Sequence, residues 1–151
     1  MMVLGQAGIP PQVSSFAQLM AWQMMSEMAE AISEHTDAAE ARLMAKSVAE
    51  AYSALYLVAV NGTYMYDGQG SDALQVANSM ALYLGVPQGA GVISAVVQSL
   101  VSDIEKRGHN LSTGTIGTLT LFEALSAHNH TDTAYKVAVS TTRMCILVNH
   151  M

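Results

Sequence analysis

Charge is what this chain has least of: only 12% of its 151 residues are Asp, Glu, Lys or Arg, about half the usual share near 25%. A complete small bundle needs more charge than that to cover its exterior. The composition therefore predicts helices buried on more than one side, an interior slice of a larger fold. Basic residues are scarcer still, six against twelve acids, for a net charge of -6. With no basic patch to meet a phosphate backbone, nucleic acid is not expected as a partner. A single cysteine, Cys145, excludes an internal disulfide framework and leaves the redox compartment undecided.

Long hydrophobic runs are missing too. The uncharged stretch between Asp72 and Asp103 is broken by Gly85-Val86-Pro87-Gln88-Gly89, so each half is too short to span a bilayer. It predicts two packed helices joined by a turn, and no membrane partner. Met1 to Pro11 has neither a basic start nor a sustained apolar run, so no signal peptide is expected. His128 and His130 lack a third ligand at a supporting spacing, so no metal site is expected, and no other cofactor is implied.

What is present is helical periodicity. After an irregular lead-in over residues 1–12, a first helix is predicted over Ser14 to Glu34, with Phe16, Met20, Met24, Met28 and Ala31 as its core stripe, flanked by Leu19 and Ile32. A second starts near Asp37, with Glu40 completing a capping box, and buries Met44, Val48, Ala51, Tyr52 and Leu55. Asn61-Gly62 then marks a turn, followed by a short extended piece over Thr63 to Tyr66. The third helix, Ser71 to Leu84, is apolar nearly all round, with Gln75, Asn78 and Ser79 as a narrow polar stripe. A helix polar along only one thin stripe belongs inside an assembly, with that stripe toward a cavity. The fourth, Gln88 to Arg107, turns Val92, Ile93, Val96, Val97, Leu100, Val101 and Ile104 inward and stops at Gly108. The fifth, Thr115 to His128, buries Ile116, Leu119, Phe122 and Leu125; the sixth runs from Thr131 to Thr141 through Ala134, Tyr135, Val137 and Ala138. Short turns make neighbours antiparallel, so the odd-numbered helices all point one way. The even-numbered ones carry more of the charge. The expected fold is all-α: antiparallel helical hairpins, roughly half of an (α/α)6 six-hairpin barrel.

Between the fourth and fifth helices lies the segment least explained by core packing, Gly108-His109-Asn110-Leu111-Ser112-Thr113-Gly114-Thr115-Ile116-Gly117-Thr118. A helix N-terminus behind Ser112, Thr113 and Gly114 offers free backbone N–H groups and hydroxyls to a hydroxylated ligand or an anion. The same residues also suit simple capping by Thr113 or Thr115 and close packing at Gly114 and Gly117. No lysine follows the glycines, which excludes a phosphate loop. Candidate cavity-lining, substrate-binding residues are Gln75, Asn78, His109 and Thr113. Asn61, Asn110 and Asn129 stand in Asn-x-Ser/Thr sequons. No two acids are spaced as a hydrolytic pair, and Ser, His and Asp occur without a nucleophile elbow.

This segment, with Leu125-Ser126 and Thr131-Asp132-Thr133-Ala134-Tyr135 after it, resembles the bacterial-type α-L-rhamnosidases, family 78 of the glycoside hydrolases. Their catalytic domain carries a similar Gly-His-His-Leu-Thr-Thr-Gly-x-x-Gly-Thr run and a Gly-Arg-Thr-Asp-x-Ala-Tyr-like helix start. Met28-Ala29-Glu30-Ala31 and Gln75-Val76-Ala77-Asn78 to Leu84-Gly85 fit as well, so the resemblance spans roughly Val13 to Thr142. It implies an inverting hydrolase that releases terminal α-L-rhamnose from glycosides, one carboxylic acid protonating the leaving oxygen and a second carboxylate activating water.

The family's general acid sits in an Asp-Glu-Arg motif upstream of this region, and its general base in a Trp-Glu motif downstream. Neither motif occurs here; the only tryptophan, Trp22, is in the first helix. After Thr142 the chain departs from the family pattern into Arg143-Met144-Cys145-Ile146, a divergent tail over 143–151. No catalytic residue carries over. The expectation is a fragment of a catalytic domain over 13–142, inactive alone, its apolar barrel rims open to self-association. A rhamnosyl glycoside is the expected ligand of the full-length enzyme. The alternatives are a helical scaffold or interaction protein, and part of another six-hairpin carbohydrate enzyme, a lyase or epimerase.

Overall fold

The computed structural model describes residues 11–58, 63–64 and 74–140. Helix α1 spans Pro11–Ala31 and α2 spans His35–Tyr56. The first boundary differs from the expectation. Pro11 and Gln12 are helical rather than part of a lead-in, because proline is tolerated in a first helical turn, where its missing N–H has no intrahelical partner to lose. Helix α2 also starts early, with Glu34 at the N-cap and Asp37 inside the first turn. The expected Asp37–Glu40 capping box therefore gives way to a tighter turn.

Two short strands, β1 (Leu57–Val58) and β2 (Thr63–Tyr64), pair antiparallel with Leu57 opposite Tyr64 and Val58 opposite Thr63. Then come α3 (Leu74–Tyr83), α4 (Ala90–Lys106), α5 (Thr115–Ala127) and α6 (Thr131–Val139). The tail beyond Ser140 and the sequon at Asn61 lie outside the described residues.

Four of the helices end alike. After α1, α3, α4 and α5 a residue with positive φ (Ser33, Gly85, Gly108, Asn129) turns the chain. In each case the next residue's N–H reaches the carbonyl five positions back: Glu34 to Ala29, Val86 to Ala81, His109 to Ile104 and His130 to Leu125, at 2.8–3.0 Å. This 6→1 closure is the Schellman motif, and it satisfies carbonyls that the helix end leaves bare.

Helices α1 and α2 pack as one hairpin, α3 and α4 as the second, α5 and α6 as the third, with α3 also lying along α5. The core unites all three hairpins through Phe16, Leu19, Tyr52, Tyr64, Met80, Leu100, Ile104, Leu121, Leu125 and Val137. Tyr52 touches Tyr56 edge-on at 4.9 Å and Tyr64 at 5.6 Å between ring centroids, which seats the strand pair on α2.

Several expected core residues are not covered. Met24, Met28 and Ala31 of α1 and Ile32 just after it, Met44, Ala51 and Leu55 of α2, Ile116 and Leu119 of α5, and Tyr135 and Ala138 of α6 are exposed. On α2 the covered face is Ala38, Ala41, Ala45, Tyr52 and Tyr56 instead. On α5 it is Gly117, Thr120, Leu121, Ala124 and Leu125. These helices are apolar on more than one side, as the low charge implied, and the described hairpins cover only one of those sides.

Candidate functional site

The polar stripe of α3 is the first feature to place. Gln75, Asn78 and Ser79 are all fully buried, and each bonds to a different neighbour. Gln75 holds the 110–112 segment in both directions: its Nε2 donates to the Asn110 carbonyl at 3.2 Å and its Oε1 accepts the Ser112 N–H at 2.9 Å. The Asn78 Oδ1 accepts the Tyr64 N–H at 2.7 Å, pinning β2, while its Nδ2 donates to Ser99 Oγ of α4 at 3.5 Å. Ser79 and Thr120 share a hydroxyl hydrogen bond of 3.0 Å between α3 and α5. A buried polar group without a partner costs about 1–3 kcal/mol, so a helix enclosed on all sides retains polar residues where neighbouring backbone must be met.

Beside the stripe, α3 contributes part of a cavity wall. Val76 and Met80, with Val13 of α1 and Gly114, Thr115, Ile116 and Gly117 of α5, line a cavity of about 400 Å³. Gln75, Asn78, His109 and Thr113 are not among the residues that line it. The first turns of α1, α3 and α5 meet at this cavity, so the odd-numbered helices do point one way.

The α5 N-terminus is built tightly. Gly114 is the N-cap in extended conformation and no side chain caps it, so neither Thr113 nor Thr115 does so. Instead the Thr113 and Thr118 hydroxyls bond to each other at 2.9 Å, and Thr118 Oγ1 also donates to the Gly114 carbonyl at 3.0 Å. The first main-chain bond of the helix is Thr118 N–H to Gly114 at 2.9 Å. The N–H groups of Thr115, Ile116 and Gly117 thus have no partner inside their own helix.

His109 stands in the left-handed region at φ 62°, half-buried, in the Schellman turn that ends α4. It precedes Asn110, whose carbonyl Gln75 holds, and is not among the residues that line the cavity. The Asn110 side chain donates to the Arg107 carbonyl at 2.6 Å and accepts from Ser140 Oγ at 3.4 Å. This sequon asparagine is thus engaged in holding the turn. The apolar floor of Val13, Val76 and Met80 was not picked out from the sequence, although Val76 and Met80 carry a signal: they are four residues apart, one helical turn, beside the polar stripe.

No titratable side chain lines this cavity, and among the described residues no group of three or more His, Cys, Asp or Glu is placed to hold a metal ion. Carboxylates gather elsewhere. Glu27 and Glu30 line a wider open trough of about 850 Å³ with Arg42 and Tyr83. Glu30 hydrogen-bonds both Arg42 and His35. The Arg42 hydrogen bond holds its carboxyl below the ordinary carboxylate value. Asp103 forks onto Arg107 at 3.0 and 3.1 Å. The cavity thus combines backbone donors with an apolar floor, and none of the residues that line it is titratable.

The comparisons with known proteins agree with this architecture. Residues 11–147 match the family model described as the bacterial α-L-rhamnosidase six-hairpin glycosidase domain. Three solved structures superpose on the chain. The α-L-rhamnosidase from Dictyoglumus thermophilum does so with a TM-score of 0.75 and 22% identity over 84% of this chain. The Streptomyces avermitilis enzyme complexed with L-rhamnose gives 0.73 and 24% over 87%, and the Aspergillus terreus enzyme 0.72 and 20% over 82%. The chain spans only 12–14% of the length of those proteins. No curated protein matches it in sequence. Half of a six-hairpin ring, the convergent N-termini and the match over residues 11–147 give one conclusion: this chain belongs to the bacterial α-L-rhamnosidase six-hairpin glycosidase family.

Proposed function

We propose that this chain forms the inner wall of the sugar-binding cavity of an α-L-rhamnosidase-like glycoside hydrolase and carries no catalytic carboxylate pair. The observation that carries this reading is the α5 N-terminus, where Thr115, Ile116 and Gly117 line an otherwise apolar cavity at which three helix N-termini converge. Such a site suits a neutral hydroxylated ligand: the N–H groups donate to its oxygens while Val76 and Met80 meet its carbon face. Thr113, next to the cap, is the hydroxyl we assign to the cavity mouth. Gln75 acts behind it, as the residue that positions the 110–112 backbone.

Inverting hydrolysis needs a carboxylic acid and a carboxylate about 6.5–9.5 Å apart across the sugar, the acid kept protonated by a raised pKa. Glu30 fails that requirement, since Arg42 shifts it downward. Asp103 is engaged by Arg107. We assign neither as the acid and place the catalytic pair outside the described residues.

The test is hydrolysis of an aryl α-L-rhamnoside by the purified chain. No turnover above background is expected. Turnover abolished by substituting one of its carboxylates would overturn the reading. Binding of L-rhamnose, followed by chemical-shift changes at Thr115 to Gly117, would support the wall assignment independently of turnover.

A further inference from the structure

The trough walled by the later turns of α1, the first half of α2 and the end of α3 holds polar groups that the fold does not use. It is remote from the cavity. Val13 of the cavity and Glu27 of the trough lie near opposite ends of α1, roughly 20 Å apart at the α-helical rise.

Ser26 is the least expected of these groups. It is only 6% exposed and lines the trough, yet its hydroxyl has no hydrogen-bond partner among the described residues. A serine inside a helix commonly returns its hydroxyl to a carbonyl one turn back; Ser26 does not, and a buried hydroxyl left without a partner is costly. Its neighbours are half-used in the same way. Gln23 donates from Nε2 to the Leu84 carbonyl at 3.0 Å, which leaves its Oε1 as an acceptor. Arg42 gives one amino group to Glu30 and has further N–H donors to offer. Glu27 is an exposed carboxylate on the same wall. Tyr83 adds an exposed aromatic ring, braced by a tilted contact with Phe16 at 6.4 Å between centroids.

This mixture selects among ligand chemistries. A primary amine would meet Glu27 and Glu30 but also the Arg42 guanidinium. A carboxylate or phosphate would meet Arg42 but be opposed by both glutamates. Among the described residues no group of three or more metal-ligating side chains is present. A sugar hydroxyl both donates and accepts, so it suits neighbouring donors and acceptors alike, and the C–H face of a sugar ring suits an aromatic face. The volume of about 850 Å³ is ample for one or two sugar units.

We propose that this trough is a second saccharide-binding site, in which Ser26, Gln23, Glu27 and Arg42 take the hydroxyls of a neutral sugar and Tyr83 packs on its carbon face. The proposal rests on the trough's own donors and acceptors and not on the cavity at the α5 N-terminus, so either site can fail without the other.

Amide chemical shifts of the 151-residue chain, titrated with rutinose (a neutral rhamnosyl-glucose disaccharide), test it. Saturable shifts are expected at Gln23, Ser26, Glu27 and Leu84, separate from any at Thr115 to Gly117. Ser26→Ala removes one hydroxyl from a helix that favours alanine, so the fold is kept, and should weaken binding at the trough roughly fivefold. Tyr83→Ala should weaken it roughly tenfold, with circular dichroism checking that the helices remain. Neither variant should change shifts at Thr115 to Gly117. No saturable shift at the trough up to roughly 100 mM disaccharide, an affinity indifferent to Ser26→Ala, or equal displacement by sodium acetate or butylammonium chloride would each overturn the proposal.

Discussion

A β-carbon at position 117 would lie 3.0 Å from the Thr113 β-carbon and 3.2 Å from a Val76 methyl. Glycine there lets α5 approach α3 at the cavity. In a helix interior alanine is favoured over glycine by about 1 kcal/mol, but overpacking costs about 1–3 kcal/mol. Contact should win, and Gly117→Ala should lower stability in urea unfolding. Gly91→Ala, in the first turn of α4 with nothing within 4 Å of the added carbon, should leave stability equal or higher. Gln75→Leu removes a donor and an acceptor from the 110–112 backbone at once. It should cost about 1–3 kcal/mol and speed amide exchange at Ser112; unchanged exchange there would contradict the clamp. Glu30 supplies the pH prediction. Its folded pKa lies below the ordinary carboxylate value, chiefly through the Arg42 hydrogen bond. The stabilising effect is therefore complete above that ordinary value and is lost as pH falls through the lowered one. Arg42→Ala should move the Glu30 midpoint upward in an NMR titration and leave the acid limb of stability flatter. At this scale the sequence was legible where a residue type has one use, as with Gly108 and Gly117. Gln75 and Asn78 were recognisable as buried-stripe residues, but their backbone partners come from segments 14–37 residues away in the chain, which no local pattern encodes.

The Schellman turns show how elements are ended. Gly85 and Gly108 occupy two of them, as glycines after a helix usually do, but Ser33 and Asn129 occupy the other two. A non-glycine residue in the left-handed region costs roughly 1–2 kcal/mol, and glycine's greater freedom in the unfolded chain offsets part of that gain. Ser33→Gly should therefore raise thermal stability modestly, and Gly85→Ala should lower it although nothing lies within 4 Å of the new carbon. If both variants melted like the parent, backbone conformation would not be what ends these helices. Asn129 was readable as a turn residue, since asparagine tolerates this region; Ser33 had no such signal, and the first helix was extended past it. Boundaries at Pro11 and His35 were misplaced for a related reason. Proline reads as a breaker unless it falls in a first helical turn, and Asp37 reads as a cap when it lies inside the first turn.

At the scale of the molecule, helix order, hairpin pairing and the common direction of α1, α3 and α5 followed from periodicity and short turns, because both are local. Which apolar faces are covered did not. Met28, Leu55 and Leu119 sit at core spacing yet are 66%, 73% and 60% exposed. Periodicity reports that a face is apolar; what lies against it depends on the neighbouring hairpin. Bare apolar surface of this kind should self-associate, and association has a thermodynamic signature. When folding and association are coupled, mass action stabilises the native dimer as concentration rises. A tenfold increase is worth about 1.4 kcal/mol per dimer, and for a unit of that size it should raise Tm by roughly 2 °C. The Met28→Lys variant, held apart as a monomer, should melt at a lower temperature that does not change with concentration. A parent chain whose transition is independent of concentration over a hundredfold range would show that its stability comes from three hairpins alone, and that the apolar rims remain open in solution.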